Sequence, residues 1–234
     1  MSRIAIGGVP LGGRPRIVAA GGEVELDDLA RAEGADLVEV RADLFHEPEP
    51  PRLTDAVVRL RTAGRPIILT VRSAAEGGRP LPDERRAALY RAGLSQVSAI
   101  DVEIASADLI ADLVPRARAA GRTVLLSAHV LDHTPPAAAL LALVDQAVAL
   151  GADVTKVVTR ARDLDDVRTL LEVTLAARPR PIVCFAMGEM GTLSRVLFPA
   201  AGSLLTYAAV GTPTAPGQLP LGELVGLIRR FFPT

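Results

Sequence analysis

Eight short runs rich in Val, Ile and Leu alternate along the chain with longer Ala/Leu/Arg stretches of helical period. Such alternation points to a parallel sheet, because each helix carries the chain back to the end where the next strand begins. The runs predict strands near 16–20, 36–41, 67–72, 98–104, 123–128, 153–158, 181–186 and 203–209. Helical periodicity is clearest over 83–93, 106–120 and 136–150. Thr134 before Pro135 reads as the capped start of the last of these, and Gly121 and Gly151 as left-handed stops. Eight strand–helix units predict a closed (β/α)8 TIM barrel, with an open doubly wound sheet as the alternative. The 234 residues are expected to form one domain, 1–234, with the segment 3–15 closing the barrel bottom.

Composition narrows the class of function. Apolar residues make up 49% of the chain, and a net charge of −1 with interspersed signs argues against a nucleic-acid binder. No stretch approaches the roughly 18 apolar residues of a membrane span, and the first residues lack the apolar core of a signal peptide. The single cysteine, Cys184, excludes an intrachain disulfide and suits a reducing compartment. A cytoplasmic protein is the expectation.

Within this apolar frame, charges fall where a barrel should be dry. Residues two apart on a strand share a face, so Glu39 and Arg41 point the same way as Leu37, and Asp101 the same way as Glu103. Arg72, His129 and Lys156 also lie toward the C-terminal ends of their strands, where barrel enzymes keep their sites. Ionised groups at such positions cost several kcal/mol unless paired or used. Convergence from five strands favours a site over a structural ion-pair network.

Lys156 stands out by count: of 26 basic residues it is the only lysine. It lies among Val154, Val157 and Val158, where an apolar wall and nearby arginines would favour its neutral form. Lysine can shed its proton and attack a carbonyl to form an imine, which arginine cannot. For a free lysine at neutral pH, shedding that proton costs about 4.6 kcal/mol. His129 is expected at the end of the neighbouring strand, with a ring suited to general acid–base work. His46 and His133 read as exposed loop residues without a role. The stretch "MGEMGTLSR", 187–195, offers a glycine-rich helix start for an anion, with Arg195 as its charged fork. The Gly/Pro loop 211–220 is either a solvated connection or a lid over substrate.

Together, "EVRAD" (39–43), "TVRSAAEGG" (70–78), "DVE" (101–103), "SAHVLDHTP" (127–135), "DVTKVV" (153–158), "MGEMGTLSR" (187–195) and "TAPGQ" (214–218) resemble the type I 3-dehydroquinate dehydratase family. The resemblance runs from about the first strand to the C-terminus, with the motifs in the family's order. It implies a (β/α)8 barrel, a homodimer, no metal or organic cofactor, and syn dehydration of 3-dehydroquinate to 3-dehydroshikimate in the shikimate pathway. By the same resemblance Lys156 matches the imine lysine, His129 the general acid/base and Glu76 the glutamate that orients it. Glu39, Arg41 and Arg72 match groups around the ring hydroxyls and the imine, Arg195 the carboxylate anchor, and Thr214 and Gln218 the covering loop. The chain departs from many relatives at Val130-Leu131, where they carry Asp-Phe, and from some at Thr214 (Ser) and Tyr207 (Phe). These departures touch pocket packing and not the nucleophile, acid or base. A class I aldolase acting on phosphorylated sugars, and a barrel that binds a shikimate-like acid without turnover, are the two rival readings.

Overall fold

The computed structural model describes residues 4–233; Arg3, the first residue of the predicted 3–15 segment, lies outside them. A two-stranded hairpin, β1 (Ala5–Ile6) and β2 (Val9–Pro10), precedes eight strand–helix units. In chain order these are β3 (Arg16–Gly21), α1 (Leu26–Ala30), β4 (Leu37–Arg41), α2 (Pro50–Thr62), β5 (Ile67–Thr70), α3 (Asp83–Gly93), β6 (Ala99–Glu103) and α4 (Ala107–Ala119). They continue with β7 (Thr123–Val130), α5 (Ala137–Ala149), β8 (Val154–Arg160), α6 (Leu164–Ala176), β9 (Ile182–Met187), α7 (Ser194–Ala201), β10 (Leu205–Ala209) and α8 (Leu221–Phe231). All strand pairs from β3 to β9 are parallel and sequential, and β10 pairs with β3. The Leu204 N–H donates to Ile182 C=O at 2.9 Å at the foot of the β9–β10 seam, so the sheet is a closed barrel and the open alternative falls.

Alternation along the strands sorts the side chains into two cores. Val18, Leu37, Ile68, Ala99, Leu125, Val154, Val183 and Leu205 form one inner apolar cluster with Ile6 and Leu11 of the N-terminal segment. That segment therefore plugs the barrel bottom with apolar side chains. Outward-facing residues such as Val38, Val40, Ile100 and Val102 pack under the helices. One step or two above the inner apolar layer, on the same face of each strand, stand Glu39, Arg41, Asp101, Glu103, Ser127, His129 and Lys156. Fold geometry thus delivers the polar groups to the C-terminal mouth.

Local signals mostly place the elements where the sequence predicts them, and Gly121 and Gly151 do adopt positive φ, at 68° and 97°. Thr134 differs. The helix starts at Ala137 after Pro136, and the Thr134 hydroxyl bonds Thr159 Oγ1 at 2.7 Å and Arg160 C=O at 2.9 Å instead of a helix N–H. With β8 running on to Arg160, a partner across the barrel rim outcompetes the local cap.

Candidate active site

A cavity of about 260 Å³ opens at the C-terminal mouth of the barrel. The nine residues given a role from the sequence line it: Glu39, Arg41, Arg72, Glu76, His129, Lys156, Arg195, Thr214 and Gln218; Asp101 and Glu103, read only as inward charges, lie behind them. His46 and His133 are exposed and lie elsewhere.

Lys156 is buried inside β8, where its backbone pairs with Ser127 of β7. Its amine donates to Asp101 Oδ2 at 2.8 Å and lies 3.5 Å from Glu39 Oε1. The Tyr207 ring sits beneath it, with the centroid 4.2 Å from Nζ. The expected surroundings of valines and arginines are therefore only half right. Val154 and Val158 share its face, but its nearest polar neighbours are carboxylates. Asp101 is fully buried; it also accepts from Ser127 Oγ at 2.5 Å and pairs with Arg72 Nη2 at 3.1 Å. Burial alone would raise the Asp101 pKa, but Arg72 and Lys156 beside it outweigh burial and hold the carboxyl well below its usual range.

Arg72 forms the hub between carboxylates. Beyond Asp101 it donates to Glu103 at 3.2 Å and to Ser127 Oγ at 2.7 Å. Glu103 is held from the other side by Arg86 of α3, whose guanidinium reaches through the barrel wall and also donates to the Val71 carbonyl at 3.0 Å. Arg41 makes a two-point pair with Asp43, at 2.9 and 2.7 Å, and Asp43 accepts from the Arg72 N–H at 3.0 Å. Glu39 accepts from Thr70 Oγ1 at 2.8 Å. Each buried charge in this ring has a counter-charge or a donor, which is the condition for keeping it in a barrel interior.

His129 extends β7, opposite Val158 of β8. Glu76, in a single turn of 3-10 helix at Ala74–Glu76, accepts from the His129 backbone N–H at 3.0 Å and contacts its Nδ1 at 2.7 Å. With Nδ1–H donated to Glu76, Nε2 is the free, basic nitrogen of a neutral ring. Burial, reinforced by Arg72 and Lys156, pushes the histidine pKa well down. Burial likewise pushes Glu76 up, to about 7, against the pull of Arg72. The proton taken up by this pair near neutrality therefore goes to Glu76 and leaves the imidazole neutral. Ionised Glu76 supports an imidazolium formed during turnover, so kcat/KM is expected to rise as pH rises through about 7. Below that inflection activity should persist, since His129 stays unprotonated past the ordinary histidine range. A pH profile of Glu76→Gln checks this: the inflection should vanish, and a profile identical to the parent's would refute the assignment.

Arg195, in the first turn of α7, is buried over the Phe185 ring, 4.7 Å from its centroid. It donates to Gly217 C=O at 2.9 Å and to Tyr207 C=O at 3.2 Å, and forms no ion pair among the described residues. Its Nη2 is buried without a partner. Burial with no acidic neighbour lowers its pKa to about 10. The glycine-rich turn before it is already partly occupied. The N–H groups of Gly188, Gly191 and Thr192 are bonded to Pro216, Gly188 and Glu189 carbonyls respectively. Arg195 Nη2 is a free side-chain donor beside this turn.

Loop 211–218 closes over the cavity through those same groups. Gly188 N–H donates to Pro216 C=O at 3.2 Å, and Gln218 Oε1 accepts from the Thr214 N–H at 2.8 Å and its hydroxyl at 3.0 Å. Gly217 has φ +74°, and a Cβ there would meet the Gly188 carbonyl oxygen at 2.3 Å, so only glycine allows the loop this close. Sequence reasoning gave no role to Asp101 or Ser127, and treated Tyr207 only as a departure. The "DVE" spacing exposed Asp101 as an inward charge, but nothing local in the chain pairs it with Lys156.

A family model described as type I 3-dehydroquinase matches residues 18–231. The 3-dehydroquinate dehydratase of Methanococcoides burtonii is 32% identical over 226 residues, covering 94% of this chain and 96% of that one. Among solved structures, 3-dehydroquinate dehydratase from Geobacillus kaustophilus superposes with a TM-score of 0.89 at 29% identity, over 100% of this chain and 98% of that one. A type I enzyme from Clostridium difficile, with covalently modified comenic acid, gives 0.89 at 26% identity over 98% and 97%.

Proposed function

As the chain belongs to the type I 3-dehydroquinase family, we propose that Lys156 is its imine-forming residue and His129 its proton-transfer group. The enzyme is a lyase of the shikimate pathway that dehydrates 3-dehydroquinate to 3-dehydroshikimate. The observation that carries the assignment is the chain's only lysine, buried at the cavity floor on the strand next to the Glu76-paired histidine.

Lys156 attacks the C3 ketone and forms a protonated imine. That group withdraws electrons, so the C2 proton becomes acidic enough for neutral His129 to remove. The enamine then expels the C1 hydroxyl, to which protonated His129 returns its proton, and hydrolysis frees the product. Glu76 orients the imidazole and stabilises its charged form. Glu39, Arg41 and Arg72 surround the ring hydroxyls and the imine. Thr214 and Gln218 seal the mouth and exclude water. Borohydride with 3-dehydroquinate, followed by peptide mass mapping, tests the reading: the adduct belongs on Lys156, and an adduct elsewhere or none would end it.

Arg195 receives the substrate carboxylate, because it is the buried guanidinium with a free donor and no acidic partner. Arg195→Ala should lower kcat/KM by about 10–100-fold, the worth of a charged hydrogen bond, through both a higher KM and a lower kcat. An unchanged KM would place the carboxylate elsewhere.

Two coarser matters follow. No described helix is long and apolar enough to cross a membrane; a cytoplasmic location is supported by the biosynthetic activity and by the single cysteine, Cys184, which leaves no intrachain disulfide to form. A homodimer is supported by the outer surface of α4 and α5. There Ile110, Ala111, Val114, Pro115, Ala149 and Leu150 line an apolar groove of about 460 Å³, and Leu150 is 37% exposed. Sedimentation should give twice the chain mass, and Leu150→Glu should return it to the monomer. A parent monomer at micromolar concentration would overturn this.

A further inference from the structure

We propose that Asp101 is a catalytic residue of this enzyme, the fixed counterion that holds the Lys156 nitrogen as an ammonium at rest and as a protonated imine during turnover. The inference rests on Lys156 being the imine lysine, and goes beyond it by assigning the anion that touches the reacting nitrogen. Two carboxylates face Nζ, and the geometry separates them. Asp101 lies at 2.8 Å and Glu39 at 3.5 Å. Asp101 is wholly buried, with Ser127 and Arg72 fixing its two oxygens, whereas Glu39 leans on Thr70. The other charged or titratable groups around the nitrogen are Arg72 after β5, His129 on β7 and the neutral Tyr207 phenol on β10.

Charge bookkeeping explains why an anion belongs there. An ammonium has no lone pair, so the Lys156 nitrogen passes one proton to the ketone oxygen as the Nζ–C3 bond forms, and a second follows as the C3–O bond breaks. Two of the three nitrogen protons leave with the oxygen as water, and the third stays on the imine nitrogen. The nitrogen is therefore a monocation at both ends of the step, and a fixed carboxylate stabilises both without moving. Only a protonated imine acidifies C2, so keeping that third proton in place is the contribution Asp101 makes. Its carboxyl, held ionised by Arg72 and Lys156, is a poor base. It does not compete with His129 for the C2 proton. The cost is a slightly weaker electron sink once the imine is paired, which the larger protonated population offsets. Arg72 is in turn held by Glu103, and Glu103 by Arg86, so the anion rests on a chain of pairs anchored in α3.

The test compares parent, Asp101→Asn, Asp101→Glu and Ser127→Ala by kcat and by borohydride trapping across pH, since borohydride reduces the protonated imine. Asp101→Asn should lower kcat by about 10²–10³ near pH 8. Its trapped fraction should fall about tenfold there and recover as the pH is lowered, because solvent then supplies the proton the carboxylate no longer retains. Asp101→Glu should regain part of both. Ser127→Ala keeps every charge and loosens the carboxylate, so it should show the same pH displacement to a smaller degree. A folded Asp101→Asn that traps with the parent's pH dependence overturns the proposal, even if its kcat has collapsed, because Asp101 would then act only through Arg72. If Asp101→Asn does not fold, Ser127→Ala trapping like the parent overturns it. A parent that fails to trap at Lys156 refutes the imine assignment instead, so the two failures are distinguishable.

Discussion

Lys156→Arg is expected to abolish dehydration of 3-dehydroquinate, lowering kcat by about 10⁴–10⁶, the scale on which an essential nucleophile is lost. A guanidinium keeps a positive charge for Asp101 and Glu39, so the buried pair survives and the fold should melt cooperatively near the parent's temperature. It cannot give up its proton to attack a ketone. The chain holds no second lysine to take over, so the variant cannot be rescued from within. Lys156→Ala should be just as inactive but less stable, because it leaves a buried Asp101 facing Arg72 alone, with Glu39 uncompensated. The measurement is appearance of the conjugated ketone product together with intact mass after borohydride treatment. Residual kcat above about one hundredth of the parent's, or a substrate adduct on the variant, would show that the reaction does not pass through this nitrogen.

Much of the barrel was readable because its signals are local. Period-two apolar runs such as "DLVEVR" mark strands within a residue or two of β4 as observed, and glycines at 121 and 151 stop helices where the backbone turns left-handed. Closure of the sheet is not local. An open doubly wound sheet would show the same alternation, and only the pairing of β10 with β3 and the Leu204–Ile182 bond decide between them. Thr134 failed as a cap for the related reason that its better partners, Thr159 and Arg160, belong to another strand.

The site was legible in proportion to how much of it runs along single strands. Glu39 with Arg41 and Asp101 with Glu103 follow from alternation, and Lys156 from being a lone lysine in an arginine-rich chain. Who touches whom does not follow. Asp101 on β6 reaches Lys156 on β8 past the intervening β7, because the residue between them is Ser127, small enough to leave the path open and polar enough to bind both Asp101 and Arg72. The wall of valines around Lys156 was visible in the sequence, and the carboxylates across the barrel were not. Glu76 belongs to a short turn with no periodic pattern, so only resemblance to the family pointed to it. The glycine-rich turn at 188–191 offers fewer free donors than its composition suggests, because the covering loop occupies the Gly188 N–H and the turn itself occupies that of Gly191.

His129→Ala should lower kcat by about 10²–10⁴ while leaving imine formation largely intact. Among the described residues His129 is the only histidine lining the cavity, and burial with Arg72 and Lys156 nearby keeps its ring neutral and therefore a ready base. Glu76 fixes one nitrogen, so the ring presents the other to substrate in a set orientation. Once it has taken the C2 proton, the imidazolium is paired with Glu76 and poised to return that proton to the departing C1 hydroxyl. Removing the ring removes both transfers, but Lys156 still meets the ketone with Asp101 beside it. Imine should then accumulate, visible as an adduct mass on the Lys156 peptide after brief borohydride treatment at a yield at or above the parent's. That pattern separates His129 from Lys156, whose loss removes adduct and turnover together. Glu76→Ala should fall between, slowing turnover less than His129→Ala because an imidazole remains though unheld. Near-parental kcat in His129→Ala would assign the proton transfers to another group and leave the Glu76–His129 contact a structural one.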